Sequence, residues 1–405
     1  MKSERNYPAV TITSKGEDFL NSGNRWVYEA EVIGIDKEHN NGDIVDVLSR
    51  KGKYLGSGFI SDLSKVRVRI FSDNANDTFD DEFFKRRVRY AIDYRKAVME
   101  SMDNCRIIFG EADGFPGLTV DKYNNILVSQ ITTIGLDLRK DIIFEALLKC
   151  FKDDGIIIDA IYERNDVASR EKDGLELYKD YYYTSDNFDR NTYETIIEEN
   201  GIKYYVDFVN GQKTGFFLDQ KFNRELVSRI AKDKKVLDCF THTGSFGLNC
   251  VKGGAIKVTS VDISQLAIDQ SKRNAELNGM EDKVEYVKAD VFKYLDQVKK
   301  REYDLIILDP PAFTKSRSTV MAAYNGYKRI NSQAMKLLGK GGYLVSASCS
   351  HFMPEELYVK MLLEAAEENN VTIKQISYSQ QGKDHPIILN SNQTDYLKFY
   401  IMQII

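Results

Sequence analysis

Two apolar runs in this chain end on residues that can do chemistry. Cys349 follows Tyr343-Leu344-Val345 and three small residues in GGYLVSASCSHF, residues 341–352. Asp309 follows a wholly apolar run in LIILDPPAF, residues 305–313. The C5 carbon of a pyrimidine is a poor nucleophile. A thiolate that adds at C6 makes C5 enamine-like and able to take up a methyl group, after which loss of the C5 proton and of the thiol restores the ring. Such a thiol must stand on a fixed strand end beside a base. An ordinary thiol, with a pKa near ~8.5, is only a few per cent ionised at neutral pH. Pro310 and Pro311 stiffen the backbone after Asp309, so this loop can hold a planar base. Asp309 can orient a cytosine through its amino group or a protonated N3. Ser346, Ala347 and Ser348 are predicted to leave room for the ring. The same Asp-Pro-Pro loop suits methylation of an exocyclic amine of guanine or adenine, which needs no covalent help. In that case Cys349 is a buried structural cysteine, and both readings stand at this point.

A methyl donor needs its own site. KVLDCFTHTGSFG, residues 235–247, reads as a buried strand, a loop with Gly244 and Gly247, and then a helix. In open α/β sheets ligands bind beyond the carboxyl ends of the strands, and glycine lets backbone come close to them. Asp238 ends this strand, Asp262 the next and Asp290 the third. Asp262 lies about 20 residues past the loop, where an acid can accept both ribose hydroxyls, and Asp290 can accept from an adenine amino group. Each acid could instead cap a helix. The dinucleotide pattern GxGxxG is absent, so three acids without a phosphate loop point to S-adenosylmethionine rather than NAD or ATP.

The elements that must carry these residues are strands and helices in alternation from residue 235 onward, the spacing of a doubly wound α/β domain with a parallel sheet. Residues 6–70 alternate short β-like runs with Gly, Asn and Asp turns and predict a small all-β barrel. EFFKRRVRYAIDYRKAVME predicts a basic amphipathic helix, followed by strands, a helix and another strand, a compact α+β segment. The 405 residues exceed one ordinary core, and the expected boundaries are 1–73, 74–187 and 188–405.

The net charge of −5 hides local structure. Arg50, Lys51, Lys53, Lys65, Arg67 and Arg69 face one acid, Asp62, within twenty residues; Lys85, Arg86, Arg87, Arg89, Arg95 and Lys96 face Asp93. Either cluster is a solvated face or a polyanion-binding surface. Trp26 is a stacking platform or, on the plainer expectation, part of the barrel core. Five scattered cysteines and four histidines offer no metal spacing and suit a reducing cytoplasm, and no metal is expected. The start has no apolar core after its charges, and no apolar run approaches the roughly 20 residues of a membrane helix.

The stretches GNRWVYEAEV, GFPGLTVDKY, GQKTGFFLDQKFNR, DCFTHTGSFG, VDIS, RNAELNG, LDPPAF and SCSHFM, in this order, span nearly the whole chain. With them the sequence resembles the bacterial 23S ribosomal RNA large-subunit methyltransferase I family, which makes 5-methylcytosine. The resemblance implies an N-terminal PUA domain, a central α+β domain and a C-terminal Rossmann-like methyltransferase. It implies Cys349 as nucleophile and cofactor contacts at Asp238, Phe240, Asp262, Asp290 and Asp309. Thr241, Thr243, Gly244 and Ile263 beside them join that candidate set, as do Phe217, Asp219 and Gln220, where related enzymes frame the cofactor. It implies large-subunit ribosomal RNA as partner, gripped through Arg50, Lys51 and Lys53 with the base held at Pro310 and Pro311, and it is compatible with a homodimer. Many RNA enzymes of the wider 5-methylcytosine class carry Pro-Cys where this chain has Pro310-Pro311. The base that releases the product is therefore left unassigned.

Overall fold

β-Branched residues at alternate positions begin the first layer. Val10 and Ile12 of β1 (Ala9–Ile12) are fully buried, and β2 (Trp26–Tyr28), β3 (Val32–Ile35), β4 (Ile44–Leu48), β5 (Tyr54–Ile60) and β6 (Val66–Ser72) follow. These form one sheet in the order β2-β6-β5-β4-β1-β3 around Val10, Ile12, Val27, Val45, Val47, Ile60, Val68 and Ile70. The expected all-β segment also contains a helix, α1 (Ser14–Asn21), which Thr13 caps by accepting from Gly16 N. The computed structural model describes residues 5–314, 316–391 and 393–405.

Helix α2 (Asp81–Val98) starts where Asp80 Oδ1 accepts from Phe83 N at 2.9 Å. It buries Phe83, Phe84, Val88, Ala91 and Ile92. The second sheet has the order β11-β10-β9-β8-β7, from β7 (Asn104–Phe109), β8 (Leu118–Tyr123), β9 (Ile126–Ile131), β10 (Ala160–Asn165) and β11 (Tyr178–Thr184). The parallel step from β9 to β10 runs through α3 (Ile134–Asp137) and α4 (Lys140–Asp153), as a parallel crossover requires.

The chain divides into two compact units. The first holds residues 1–195, 206–218 and 383–394; the second holds 196–205, 219–382 and 395–405. A hairpin of β12 (Glu194–Glu199) and β13 (Ile202–Asp207) lies where the chain first passes from one to the other. Within the first unit the late segment is tied in by polar contacts. Arg95, wholly buried, donates to Asp113 and to the carbonyl of Asp384 at 2.8 Å, and Arg106 N donates to Asp384 Oδ2 at 2.8 Å.

The second unit is a seven-stranded sheet. After α5 (Lys221–Ile230) come β14 (Lys235–Cys239), α6 (Ser245–Lys252), β15 (Lys257–Asp262), α7 (Gln265–Leu277), β16 (Val284–Lys288), α8 (Val291–Leu295), β17 (Leu305–Leu308), α9 (Val320–Leu337), β18 (Tyr343–Ser348), α10 (Glu355–Glu368), β19 (Ile373–Ser379) and β20 (Lys398–Ile404). The order is β16-β15-β14-β17-β18-β20-β19, parallel up to β18. Parallel strands covered on both faces read as unbroken apolar runs, and every residue of β17 is buried. The two closing strands are antiparallel, and β20 inserts between β18 and β19; the alternating pattern of the sequence covers only the five parallel ones.

Candidate active site

The order of the sheet reverses between β14 and β17, so a crevice opens beyond their carboxyl ends. The candidate residues gather at the carboxyl ends of all five parallel strands, β14 to β18. Asp238 is inside β14 and 1% exposed. Its Oδ2 accepts from Thr241 Oγ1 at 2.5 Å and from Gly247 N at 3.0 Å, so it shapes the loop that follows. Burial pushes its carboxyl up to about 7, against those two donors. A side chain at Gly247 would meet Ser260 Oγ at 3.0 Å and Asp238 Oδ2 at 3.2 Å, a tight approach that glycine avoids where α6 lies on the sheet. Buried Arg224, paired with Glu199, reaches Ser245 Oγ at the start of α6.

The loop between β14 and α6 is strained. Phe240, His242 and Gly244 have φ of +62°, +50° and +79°. Glycine takes this conformation freely, but for a bulky residue it costs on the order of 1–3 kcal/mol and persists only where surroundings enforce it. Those surroundings are identifiable. Thr241 and Thr243 are buried, Thr243 O accepts from Asn274, and His242 O accepts from Ser271 Oγ. His242 N donates to Asp262 Oδ2 at 3.1 Å, while Asp262 Oδ1 accepts from Ser264 N. Asp262 is half-buried, and Ile263 next to it is 67% exposed. Asp290 caps α8, accepting from Lys293 N at 3.1 Å.

Beyond β17, Asp309 accepts from Gln220 Nε2 at 3.1 Å. Gln220 is held by Asn223 and Asn223 by Ser379 Oγ, so a buried amide relay fixes the carboxylate. Burial and the nearby Asp219 raise its pKa to about 7. Asp219 is itself buried and accepts from Tyr396 Oη. Pro310 is buried and Pro311 exposed. Cys349, directly after β18 and half-buried, points its Sγ at the Pro310 carbonyl, 4.0 Å away. Cysteine and Asp-Pro-Pro loop thus meet, as adjacent parallel strands β17 and β18 require.

Three expectations need correction. Ser346 and Ser348 are wholly buried and leave no room for a ring. Ser346 Oγ bonds Asn331 and Tyr358, and Ser348 Oγ donates to Tyr327, so they anchor β18 to α9 and α10. Trp26 is outside the barrel core, half-buried, with Nε1 donating to Glu111 at 2.9 Å. The second basic cluster is largely neutralised: Lys85 pairs with Glu82, Arg89 with Asp93 and Asp154, Lys96 with Asp154, and Arg95 with Asp113. Arg50, Lys51 and Lys53, by contrast, are exposed on the turn between β4 and β5. Phe217 lies in the first unit, its ring 4.3 Å from Lys213 Nζ.

One residue near the thiol is not among the sequence candidates. Lys398 opens β20 opposite Ser348 and is 4% exposed. Its Nζ donates to the carbonyls of Ser350 and Tyr396 at 2.8 and 2.9 Å. Burial lowers its pKa to about 8, opposed by Asp395, Cys349 and Glu355, so it is mostly charged at pH 7. Its only sequence signal is a lysine heading a mostly apolar strand.

A strained loop braced by Asp238, an acid with an exposed aliphatic neighbour at the second strand end, and this sheet order define an S-adenosylmethionine-dependent methyltransferase. A family model described as S-adenosylmethionine-dependent methyltransferase matches residues 181–377, and a PUA-like domain model matches residues 10–73. The chain is 37% identical over 398 residues to the ribosomal RNA large subunit methyltransferase I of Aliivibrio fischeri strain MJ11, covering 97% of this chain and 98% of that one. It is 38% identical to the protein of the same name from Shewanella amazonensis, covering 96% and 97%. The chain belongs to the ribosomal RNA large subunit methyltransferase I family. Among solved structures, a SAM-dependent methyltransferase from Streptococcus mutans superposes with a TM-score of 0.81 at 22% identity, covering 98% of this chain and 99% of that one. A methyltransferase solved in complex with SAH gives 0.82 at 21%, with the same coverage.

The residues present fit the cofactor. The loop from Phe240 to Gly244 presents backbone, Asp262 offers carboxylate oxygens for hydroxyl groups, and exposed Ile263 offers an apolar surface for a base. Asp262→Ala should weaken S-adenosylmethionine binding by about 2–3 kcal/mol, through loss of charge-assisted hydrogen bonds. Titration calorimetry that finds unchanged affinity in a folded variant would remove Asp262 from the site.

Proposed function

We propose that the chain methylates the C5 carbon of a cytosine in large-subunit ribosomal RNA through a covalent adduct at Cys349. The observation that carries this is the meeting of Cys349 Sγ with the Pro310 carbonyl of the Asp-Pro-Pro loop. A base held by that loop is beside the sulfur. Cys349 adds to C6 as the thiolate, and the Lys398 ammonium is the buried cation placed to favour that form. Asp309, with a pKa near neutrality, gives a proton to N3 or orients the amino group. S-adenosylmethionine supplies the methyl group that C5 takes up. Loss of the C5 proton and departure of the Cys349 thiolate then restore aromaticity. In the cofactor site, Asp262 takes the ribose hydroxyls, Asp290 and Ile263 the adenine, and the braced loop Phe240–Gly244 the remainder, while Gln220 holds Asp309 and the neighbouring Asp219 favours its protonated form.

The test is incubation with ribosomal RNA and methyl-labelled donor, followed by nucleoside chromatography. Label in 5-methylcytidine is expected. Label in a methylated exocyclic amine of guanosine or adenosine would overturn the reading.

The exposed turn Arg50-Lys51-Gly52-Lys53 supports a grip on phosphates by the barrel. Replacing Arg50, Lys51 and Lys53 together with glutamine should weaken RNA binding and flatten its dependence on salt, by about 0.7 in slope for each single-strand phosphate no longer neutralised. Donor affinity should stay put. An unaltered salt slope would reduce these side chains to a solvated face.

A further inference from the structure

The first unit contains a cleft of about 570 Å³ that the methyl-transfer site does not use, within the roughly 300–1,000 Å³ typical of small-ligand sites. Trp26, Lys65, Arg69 and Lys172 line it, together with Leu63 and Thr132. Among the described residues, no carboxylate lines it. Trp26 and Arg69 face each other across β2 and β6, and the guanidinium carbon is 5.3 Å from the centre of the indole. The indole is fixed from its edge by the hydrogen bond from Nε1 to Glu111. Arg69 Nε is buried without a hydrogen-bond partner among the described residues. Lys65 and Lys172 are exposed at the rim. A smaller cleft of about 160 Å³ shares Thr132 with the first and is lined by Glu111, Thr119, Gln130 and Gln393.

Two flat side chains on paired strands, with cations at the rim, are what an unstacked base with its phosphates requires. Amides and hydroxyls next to them can meet the edge of a neighbouring base. We propose that this cleft binds a base of single-stranded RNA against Trp26 and Arg69, with Lys65 and Lys172 on its phosphates. The proposal rests on the reading of the chain as an RNA methyltransferase, and it adds a second nucleotide site on a different unit from the reacting one.

Trp26 is the only tryptophan in the chain, so its emission reports this cleft alone. Titration with an unstructured 12-nucleotide RNA should quench it saturably, at the same midpoint as the anisotropy of a dye-labelled copy. Arg69→Gln and Lys172→Gln should each weaken binding at least roughly fivefold with the thermal melt unchanged, and Lys172→Gln, which removes a phosphate contact, should also lower the salt slope by about 0.7. Lys172 is exposed, so its replacement keeps the test open if Arg69→Gln unfolds. Anisotropy that reports binding without any change in emission would overturn the proposal, as would affinities unchanged in both variants. Quenching by polyglutamate in place of RNA would also overturn it. None of these outcomes touches the methylation reading, which is judged by the identity of the methylated nucleoside.

Discussion

Cys349→Ala should abolish methyl transfer to RNA while leaving S-adenosylmethionine binding intact. The sulfur is the only group placed by β18 at the Asp-Pro-Pro loop that can add to a pyrimidine among the described residues, and without addition at C6 the C5 carbon has no nucleophilicity to offer. The loss should therefore be several orders of magnitude. The other cysteines cannot substitute: Cys105, Cys239 and Cys250 are buried, and burial raises the pKa of Cys150. RNA containing 5-fluorocytosine has no C5 proton to release, so the parent protein should form an adduct that survives denaturing electrophoresis and the variant should form none. Lys398→Met should slow the reaction more at pH 7 than at pH 9, where an ordinary thiol ionises unaided. Full methylation by Cys349→Ala would defeat the cytosine C5 reading and leave methylation of an exocyclic amine.

Asp309→Asn should cost on the order of 10²–10³-fold in rate and, at alkaline pH, should make the protein more stable. The two effects have one cause. The folded state holds the Asp309 carboxyl at a pKa of about 7, above the ordinary 3.8, because burial and Asp219 oppose its charge. Folded protein therefore binds this proton more tightly than unfolded chain between about pH 4 and pH 7. Stability contributed by the proton is full at acid pH and is lost as pH rises through the folded pKa. Asparagine keeps the shape and removes the charge. The variant should gain on the order of 2 kcal/mol at pH 8 and nothing near pH 4. Thermal melts at both values read this directly. A gain of equal size at both would show that ionisation of Asp309 is not the cause.

What could be read in advance followed from how local each signal was. Runs such as KVLDC and LIILD announce buried parallel strands because both of their faces are covered, and the chemistry then falls at their ends. The glycine at 247 and the acid at 262 were legible for the same reason: one backbone approach or one strand end determines each. The amide relay Ser379–Asn223–Gln220–Asp309 was not. Its links from Gln220 to Asp309 and from Asn223 to Ser379 span 89 and 156 residues, and each member is unremarkable alone. Lys398 was missed with its strand. β20 runs antiparallel between β18 and β19, and no local pattern reveals that a late strand inserts there. The second basic cluster misled because a helix rich in cations does not show that Asp113 and Asp154 arrive from elsewhere to neutralise them.

The segment 383–394 that completes the first unit has a consequence for synthesis on the ribosome. Arg95 and Arg106 wait for Asp384, which is 289 and 278 residues further along the chain. At roughly 5–20 residues per second, that gap is tens of seconds. The amino-terminal unit, first to emerge, thus cannot be completed until most of the second unit has been synthesised. A nascent chain halted before residue 383 carries a buried guanidinium with part of its hydrogen bonding unmet, and it should be recognised by proteases and chaperones as unfinished.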